Sequence, residues 1–336
     1  MDSNLIKVTM PKVSVIIPIY GVERFIQRCV KSLMEQTLDD IEYIFVNDST
    51  KDKSMDLLTT VLKKYPQRIK QIIIKNHSEN HGLPAARNTG LAIASGEYIF
   101  HCDSDDFVES DMLEKLYKEA KRGDADIVWC DWYLTFAQNE RYMKQPNYHT
   151  AEEALKGILC GSMKYNVWNK LIKRDLYINN NIVFPSGHGM GEDMTIIQLF
   201  TCANKVAYVD KAFYHYVKTN TQAFSQTYSE RYLTDLKYNA DRTISYIQDK
   251  YSYNLEKELA YFKLATKFPF LISNGKNGLY KLWKTWYPEA NNYILSNKYI
   301  SARSRIVQWC AWKNLYIFVW LHYVAISKFV YGILYK

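Results

Sequence analysis

The feature that most constrains this chain of 336 residues is a regular alternation of short apolar runs and amphipathic stretches over residues 13–102. Four β-branched runs predict buried strands, and apolar residues at helical spacing predict a helix after each of the first three. Strands that alternate with helices along a chain form a parallel sheet with right-handed crossovers. The predicted strands are 13–17, 41–46, 69–74 and 98–102, and the predicted helices are 22–36, 52–64 and 84–95.

Polar residues stand at the carboxyl ends of the predicted strands. Tyr20, Asn47-Asp48, Asn76-His77 and Asp103–Asp106 follow the four strands in turn. Ligands of parallel sheets bind beyond these strand ends. The sequence has neither of the glycine-rich phosphate-binding motifs of dehydrogenases and P-loop proteins, which counts against both classes. A composition of 48% hydrophobic and 23% charged residues excludes a disordered chain.

The run Asp103-Ser104-Asp105-Asp106 carries three carboxylates within four residues. Such carboxylates repel one another unless a cation lies among them, and hard oxygen ligands suit Mg²⁺ or Mn²⁺. A purely structural role is the alternative, in which Asp106 or Ser110 caps the next helix. The position at the end of the fourth strand favours the cation site.

Three other positions each allow a structural and a functional interpretation. Glu192-Asp193 precedes an apolar helical stretch, so the pair either caps that helix or supplies a general base, with Asp193 taking the proton. Arg87 lies in the first turns of the third helix, where it is either solvated or contacts a phosphate. His215 is either a packed histidine or a third metal ligand beside Asp105.

The rest of the chain predicts a strand at 126–136, a helix starting at Thr150–Glu153, a strand or hairpin at 206–216 and helices from Ser229 onward. The six cysteines are scattered, and none forms a Cys-x-x-Cys pair, which is typical of reduced core thiols. Residues 1–12 have no apolar run long enough for a signal peptide. We therefore expect a cytoplasmic protein.

The net charge of +8 lies entirely after residue 275, together with five of the eight tryptophans. Residues 315–335 are apolar and long enough to span a bilayer, but His322 and Lys328 interrupt them and aromatic residues run throughout. This pattern favours an interfacial helix on an anionic membrane surface over a spanning one. A packed helical subdomain is the alternative. Nucleic-acid binding is not expected, because the tail is too apolar and no reader module accompanies it.

Together these motifs resemble family 2 glycosyltransferases with the GT-A fold, which are mostly bacterial enzymes of surface-polysaccharide synthesis. The resemblance covers about residues 11–225. It implies an α/β fold with a Rossmann-like, mostly parallel sheet in a domain 1–225, followed by a helical region 226–336. The segments that carry it are Ser14–Tyr20, Ile44–Asp48, Gly82–Gly90, Gly96–Asp106, Gly191–Asp193 and, on the acceptor side, Val167–Leu171.

The resemblance also implies roles for individual residues. Asp103 would bind the ribose, Asp105 the metal, and Asp193 would be the catalytic base, positioned with Glu192. The chain departs from the family pattern at two places. Gly21 follows Tyr20 where the family often has asparagine, and Asn47-Asp48-Ser49-Thr50 stands where Asp-Asp-Gly-Ser is usual, so that only the second aspartate is kept. The remaining nucleotide-sugar side chains would be Pro18, Tyr20, Asp48, Arg87 and Ser104, and those lining the donor sugar or acceptor would be Trp168, Asn169 and Lys170.

The activity implied is metal-dependent and inverting. A hexosyl or N-acetylhexosaminyl group would pass from a nucleotide-diphosphate sugar, by resemblance a UDP-sugar, to a hydroxyl of a glycan or lipid-linked glycan in capsule or O-antigen synthesis. Mn²⁺ or Mg²⁺ would be the cofactor, and the enzyme would be peripheral on the inner face of the cell membrane. The alternatives are a nucleotidyltransferase and an inactive, membrane-associated sugar-binding or scaffold protein.

Overall fold

The computed structural model describes residues 10–189, 191–218, 229–251, 254–273 and 278–326, without the side chain of Glu192. Contacts divide the chain into two units. Unit 1 comprises Met1–Glu152 and Tyr165–Thr243, and unit 2 comprises Glu153–Lys164 and Ile244–Lys336. The predicted boundary between residues 225 and 226 lies outside the described residues and stays a prediction.

The first part of unit 1 confirms the predicted alternation. Four strands run parallel in the order β3-β2-β1-β4, and helices connect them. Every residue of β1 is buried, as expected for an apolar strand covered on both faces. A Cβ on Gly90 would lie 2.4 Å from Cγ2 of Ile16, so only glycine lets the third helix pack this closely on β1. These elements are β1 (Val13–Ile19), α1 (Ile26–Met34), β2 (Ile41–Asn47), α2 (Ser54–Leu62), β3 (Ile72–Asn76), α3 (Leu83–Ile93) and β4 (Tyr98–His101).

The third strand starts three residues later than predicted. Residues Pro66–Gln71 form a 3₁₀ helix instead, since proline suits the first turn of a helix and lacks the N–H that a strand ladder needs. Arg68 within this turn is buried and donates to the backbone carbonyls of Met34 and Gln36, among others. The turn is thereby fixed to the end of α1.

The second part of unit 1 extends the sheet with mixed pairing. The full order is β3-β2-β1-β4-β8-β6-β9-β5, with β7 added to β6. Strand β8 is antiparallel to both neighbours, whereas β9 is parallel to β6. The predicted α/β class is confirmed. These elements are β5 (Phe107–Val108), α4 (Met112–Gly123), β6 (Ile127–Thr135), β7 (Glu140–Met143), β8 (Lys170–Lys173), α6 (Arg174–Asn179), α7 (Thr195–Cys202) and β9 (Val206–Val217). Two further helices are divided between the units: α5 (Ala151–Leu159) belongs mostly to unit 2, and α8 (Glu230–Lys250) belongs to unit 1 as far as Thr243.

Unit 2 is helical, as predicted for the C-terminal region. Its helices include α9 (Glu256–Lys267), α10 (Leu279–Thr285), α11 (Ala302–Trp312) and α12 (Tyr316–Ala325). Lys267 is buried among them and donates to the carbonyl of Trp286 and to Oδ1 of Asn291. Among the described residues, no helix is long and apolar enough to cross a membrane. The predicted interfacial stretch 315–335 lies partly outside those residues.

Candidate active site

The acidic run begins directly after β4, at the carboxyl edge of the sheet. Asp106 is fully buried and accepts hydrogen bonds from the Tyr214 hydroxyl at 2.8 Å and from the Val217 N–H at 2.8 Å. Burial raises its pKa well above the ordinary value, and the neighbouring carboxylates of Asp105 and Asp103 raise it further. Asp106 therefore ties the acidic run to β9. It does not cap α4, which begins at Met112 without a side-chain cap.

Asp103 forms an ion pair with Arg87. Nη2 of Arg87 donates to Oδ1 of Asp103 at 2.8 Å, and the guanidinium also lies over the Phe184 ring at 5.6 Å. The backbone N–H of Asp103 donates to the Tyr214 hydroxyl at 3.1 Å. Arg87 is only 1% exposed, so a direct contact with phosphate is not supported by this geometry. The structure instead makes Arg87 the partner that orients Asp103.

Asp193 lies in a short 3₁₀ turn, Glu192–Met194, that leads into α7. Its Oδ1 accepts the backbone N–H of Val167 at 3.1 Å, and the residue is half-buried. This bond joins the start of α7 to the segment that precedes β8. The side chain of Glu192 lies outside what the structure describes, so its predicted role beside Asp193 stays a prediction.

The acidic run and Asp193 are linked through the ring of Trp168, which stacks on Tyr214 and Tyr216 of β9. The Tyr214 hydroxyl donates to Asp106 of the run, and the N–H of Val167, next to Trp168, donates to Asp193. Burial raises the pKa of Tyr216, and four neighbouring carboxylates raise it further. This direction agrees with those contacts, since neighbouring carboxylates disfavour ionisation of a phenol. Two chain segments some ninety residues apart therefore supply acids to one place. The four carboxylates belong to Asp103, Asp105, Asp106 and Asp193.

Comparison with known proteins identifies the family at this point. Residues 14–197 match the model of glycosyl transferase family 2, and this range is more than half of the chain. The chain belongs to glycosyl transferase family 2. It is 35% identical to the uncharacterised glycosyltransferase EpsJ of Bacillus subtilis over 216 residues, which are 62% of this chain and 61% of EpsJ. The chain thus spans less than two thirds of that relative's length.

Solved structures confirm the GT-A type of fold. S. aureus TarS 1-349, crystallised with UDP-GlcNAc, has a TM-score of 0.66 and 21% identity, covering 93% of this chain and 91% of TarS. The mannosyltransferase PcManGT of Pyrobaculum calidifontis, in complex with GDP-Man and Mn²⁺, has a TM-score of 0.53 and 15% identity, covering 94% and 88%. At these identities the likeness is one of fold.

The two residues that the sequence predicts as metal ligands, Asp105 and His215, have different surroundings. Asp105 is half-buried in the acidic run, but both ring nitrogens of His215 face carboxylates: Nδ1 lies 2.7 Å from Glu140 and Nε2 lies 2.9 Å from Glu109. The ring also stacks on Phe107 at 4.1 Å. The geometry therefore supports a packed histidine, and its role as a metal ligand is not supported.

The carboxylates of the acidic run nevertheless fit a divalent ion. Among the described residues, no three His, Cys, Asp or Glu side chains are grouped to hold a metal by themselves. Mg²⁺-like ions at phosphate sites, however, commonly take one or two protein carboxylates and complete their shell with substrate phosphates and water. Asp105 and Asp103 offer that kind of donor set.

Of the predicted nucleotide-binding side chains, Tyr20 is 53% exposed just beyond β1, whereas Pro18 and Ser104 are buried. Asp48 is 3% exposed. Its Oδ1 accepts from the N–H of His81 and lies 2.7 Å from Nδ1 of His77, while its Oδ2 accepts from the N–H of Gly82. The carboxylate of Asp48 therefore fixes the loop before α3, and contact of Pro18, Asp48 or Ser104 with a nucleotide stays a prediction.

The acceptor-side motif is buried. Trp168 is 4% exposed and stacks on the rings of Tyr214 at 4.4 Å and Tyr216 at 5.3 Å, so it packs rather than presenting a face to sugar. Nζ of Lys170 donates to the carbonyl of Asn166 and to Oδ1 of Asn169, and both Asn169 and Lys170 are fully buried. Burial lowers the pKa of Lys170 to about 7, and the charge of Asp193 opposes this shift.

Sequence reasoning missed three residues on β9 and just after it: Tyr214, Tyr216 and Lys218. Lys218 is exposed, and its Nζ donates to the Tyr216 hydroxyl at 3.2 Å. Partial burial of the ammonium group lowers its pKa, while the carboxylates of Asp106 and Asp105 act in the opposite direction. The three residues alternate, and alternate residues of a strand share one face. This alternate spacing, which begins within the predicted strand 206–216, was the signal in the sequence that the three side chains share a face.

Proposed function

We propose that this protein transfers a sugar from a nucleotide-diphosphate sugar to an acceptor hydroxyl, with inversion at the anomeric carbon. The observation that carries the proposal is that the acidic run and Asp193 are joined through one pair of stacked rings at the carboxyl edge of the sheet. The Tyr214 hydroxyl bonds to Asp103 and Asp106 of the run. Trp168 stacks on Tyr214, and the N–H of the preceding residue, Val167, donates to Asp193. One group of acids suits a metal-bound diphosphate, and a separate acid suits proton removal. The proposed transfer uses both.

The donor would lie against the acidic run, with Tyr20 as the exposed ring available to a nucleotide base. Asp103, oriented by Arg87, would accept from ribose hydroxyls. Mn²⁺ or Mg²⁺, held by Asp105 with Asp103 beside it, would offset the negative charge of the diphosphate. Lys218 would add a cation on the same side. A UDP-sugar is the donor that we favour, because TarS was crystallised with UDP-GlcNAc.

Asp193 would act as the general base. As the acceptor hydroxyl attacks the anomeric carbon, its proton passes to the Asp193 carboxylate. The bond from the anomeric carbon to the diphosphate oxygen breaks, and its electron pair leaves with the nucleotide diphosphate. A single displacement from the opposite face inverts the anomeric centre. The N–H of Val167, which donates to Oδ1 of Asp193, would hold this carboxylate in position.

We further propose that the acceptor is a glycan or lipid-linked glycan of the bacterial surface, reached at the inner face of the membrane through α12. Four apolar side chains of α12 are 44–60% exposed, while Val319 on the opposite side of the helix is buried. Arg303 and Lys313 are exposed nearby in the sequence, and no acidic residue follows Glu289. An anionic lipid surface complements both properties. The exposed side chains are Ile317, Phe318, Trp320 and Leu321.

Release of nucleotide from a panel of nucleotide sugars tests the proposal. In the presence of Mn²⁺, purified full-length protein should release nucleotide from at least one hexosyl or N-acetylhexosaminyl donor, by hydrolysis or by transfer. Chelation of the metal with EDTA should abolish this release. Formation of a new phosphodiester or pyrophosphate would favour a nucleotidyltransferase. Binding of a donor without any release, with candidate acceptors present, would favour a sugar-binding protein. Absence of both binding and release would refute the proposal.

A further inference from the structure

The segment that delivers Asp193 has almost no regular structure of its own. Between α6, which ends at Asn179, and the 3₁₀ turn at Glu192–Met194, the structure describes no strand or helix in residues 180–189 and 191. A catalytic carboxylate has to be held within a fraction of an ångström of its working position. The segment therefore needs support from elements packed against it.

One face of α8 supplies much of this support. Asp235, Tyr238, Asn239 and Arg242 follow the i, i+3, i+4, i+7 spacing that places side chains on one side of a helix. Each of the four contacts the segment that leads to Asp193. Helix α8 lies after residue 197, where the match to the family model ends.

Asp235 and Asn239 make the central contacts. Oδ1 of Asp235 lies 3.0 Å from Nδ1 of His188, and its Oδ2 accepts the N–H of Gly189 at 3.1 Å. Nδ2 of Asn239 donates to the carbonyl of Gly189 at 2.9 Å. Asp235 is 7% exposed and Asn239 is 1% exposed. Loss of these bonds would leave the buried carboxylate of Asp235 and Nδ2 of Asn239 without these partners, which is costly.

The outer positions of the same face add two more contacts. The His188 ring stacks on Tyr238 at 3.8 Å with an interplanar angle of 13°. Nη2 of Arg242 donates to the carbonyl of Val183 at 2.6 Å. The face thus contacts the segment at both its beginning and its end.

Helix α8 also packs closely against Gly191, two residues before Asp193. A Cβ on Gly191 would lie 2.5 Å from Cβ of Asn239, a distance that real Cβ atoms essentially never show. The backbone at Gly191 therefore rests directly on α8. We therefore expect a shift of Asn239 to move the backbone immediately before the 3₁₀ turn.

We propose that α8 positions the catalytic base, with Asp235 and Asn239 as the positioning residues. The proposal rests on the proposed function only in giving Asp193 the role of base. Neither residue touches donor or acceptor in this scheme. They set where the Asp193 carboxylate lies, so their loss should slow the chemical step and leave nucleotide binding intact.

Three variants of the full chain test the proposal: Asn239→Ala, Gly191→Ala and, as the control, Thr234→Ala. Thr234 is exposed on α8 beside Asp235 and is outside the contacting face. With the best donor of the panel, Asn239→Ala and Gly191→Ala should lose about tenfold to hundredfold in kcat, the range expected for a displaced catalytic group. Their affinity for UDP with Mn²⁺ should stay within about twofold of wild type, and Thr234→Ala should match wild type in both.

Hydrogen exchange gives a readout that does not depend on activity. Amides of residues 184–194 should exchange faster in Asn239→Ala than in Thr234→Ala, while the strands of the sheet keep wild-type rates. If Asn239→Ala fails to fold, Asp235→Asn, which keeps the side-chain volume, takes its place in both measurements. The proposal is overturned if exchange is unchanged, or if exchange rises and kcat does not fall. A wild-type protein that releases no nucleotide would instead refute the proposed function.

Discussion

Replacing Arg87 by methionine should cost both stability and donor binding, because this buried guanidinium is what orients Asp103. Methionine keeps much of the apolar stem and removes the charge. Removing one partner of a buried ion pair typically costs 3–5 kcal/mol, since the other charge stays behind without compensation. A quarter of the Asp103 side chain is exposed, and water can solvate it in part. We therefore expect the free energy of unfolding to fall by about 2–3 kcal/mol.

The assay is urea unfolding followed by circular dichroism, together with calorimetric titration of UDP in Mn²⁺. Arg68→Met is the matched control, because Arg68 is also buried but donates to backbone carbonyls near the end of α1. Arg68→Met should lose stability and bind UDP normally, whereas Arg87→Met should lose at least tenfold in UDP affinity. Adding Asp103→Asn to Arg87→Met should lower the free energy of unfolding little further, because the charge left behind is then removed as well. Unchanged UDP affinity in Arg87→Met would refute the reasoning.

Four further outcomes are expected. Asp105→Ala should abolish the Mn²⁺-dependent part of UDP binding in calorimetry while the protein keeps its wild-type circular dichroism; equal affinity would remove Asp105 from the metal site. Trp168→Ala should lower the free energy of unfolding by about 3–5 kcal/mol, since it leaves a cavity between Tyr214, Tyr216 and Trp132; a loss below 1 kcal/mol would contradict its packing role. The pKa of Lys170 is about 7 in the folded state and higher in the unfolded state, so the unfolded state binds more protons between those values and stability rises with pH there. The free energy of unfolding of the wild type, relative to that of Lys170→Met, should therefore rise by up to about 1.4 kcal/mol per pH unit from pH 7 to 9. Parallel plots of this free energy against pH for the two proteins would count against the lowered pKa. Full-length protein should sediment with phosphatidylglycerol vesicles at low salt, and Phe318→Asp should weaken this while Ile178→Asp, at a site 53% exposed in unit 1, should not; equal sedimentation of the two variants would exclude α12 as the contact.

The alternation of strands and helices was predictable because its signal is local. Residues 13–102 carry apolar periodicity, and a parallel sheet with polar strand ends follows from it by general rules. The mixed half of the sheet was not predictable in the same way. Strand β8 is four residues long and lies antiparallel between β4 and β6, and no local pattern specifies such neighbours.

The acids of the candidate site could be predicted from the sequence. Which of the neighbouring charged residues are buried could not. Asp105 and Asp193 stand out by position, but nothing in the sequence distinguishes a solvated Arg87 from one that is 1% exposed. The same holds for Lys170, a residue type that is almost never fully buried. The support that α8 gives the segment before Asp193 depends on contacts across some fifty residues, which spacing alone does not reveal.

The base assignment can be tested by comparing Asp193→Asn with wild type and with Asp210→Asn, an exposed acid of the same unit, in transfer from the best donor of the panel. The account predicts that Asp193→Asn binds UDP within about twofold of wild type and loses about 10²-fold or more in turnover, the usual scale for removal of a general base. Asp210→Asn should be unaffected. Nuclear magnetic resonance of the wild-type product should show the anomeric configuration opposite to that of the donor. Full turnover by Asp193→Asn, or a product that retains the donor configuration, would contradict the account.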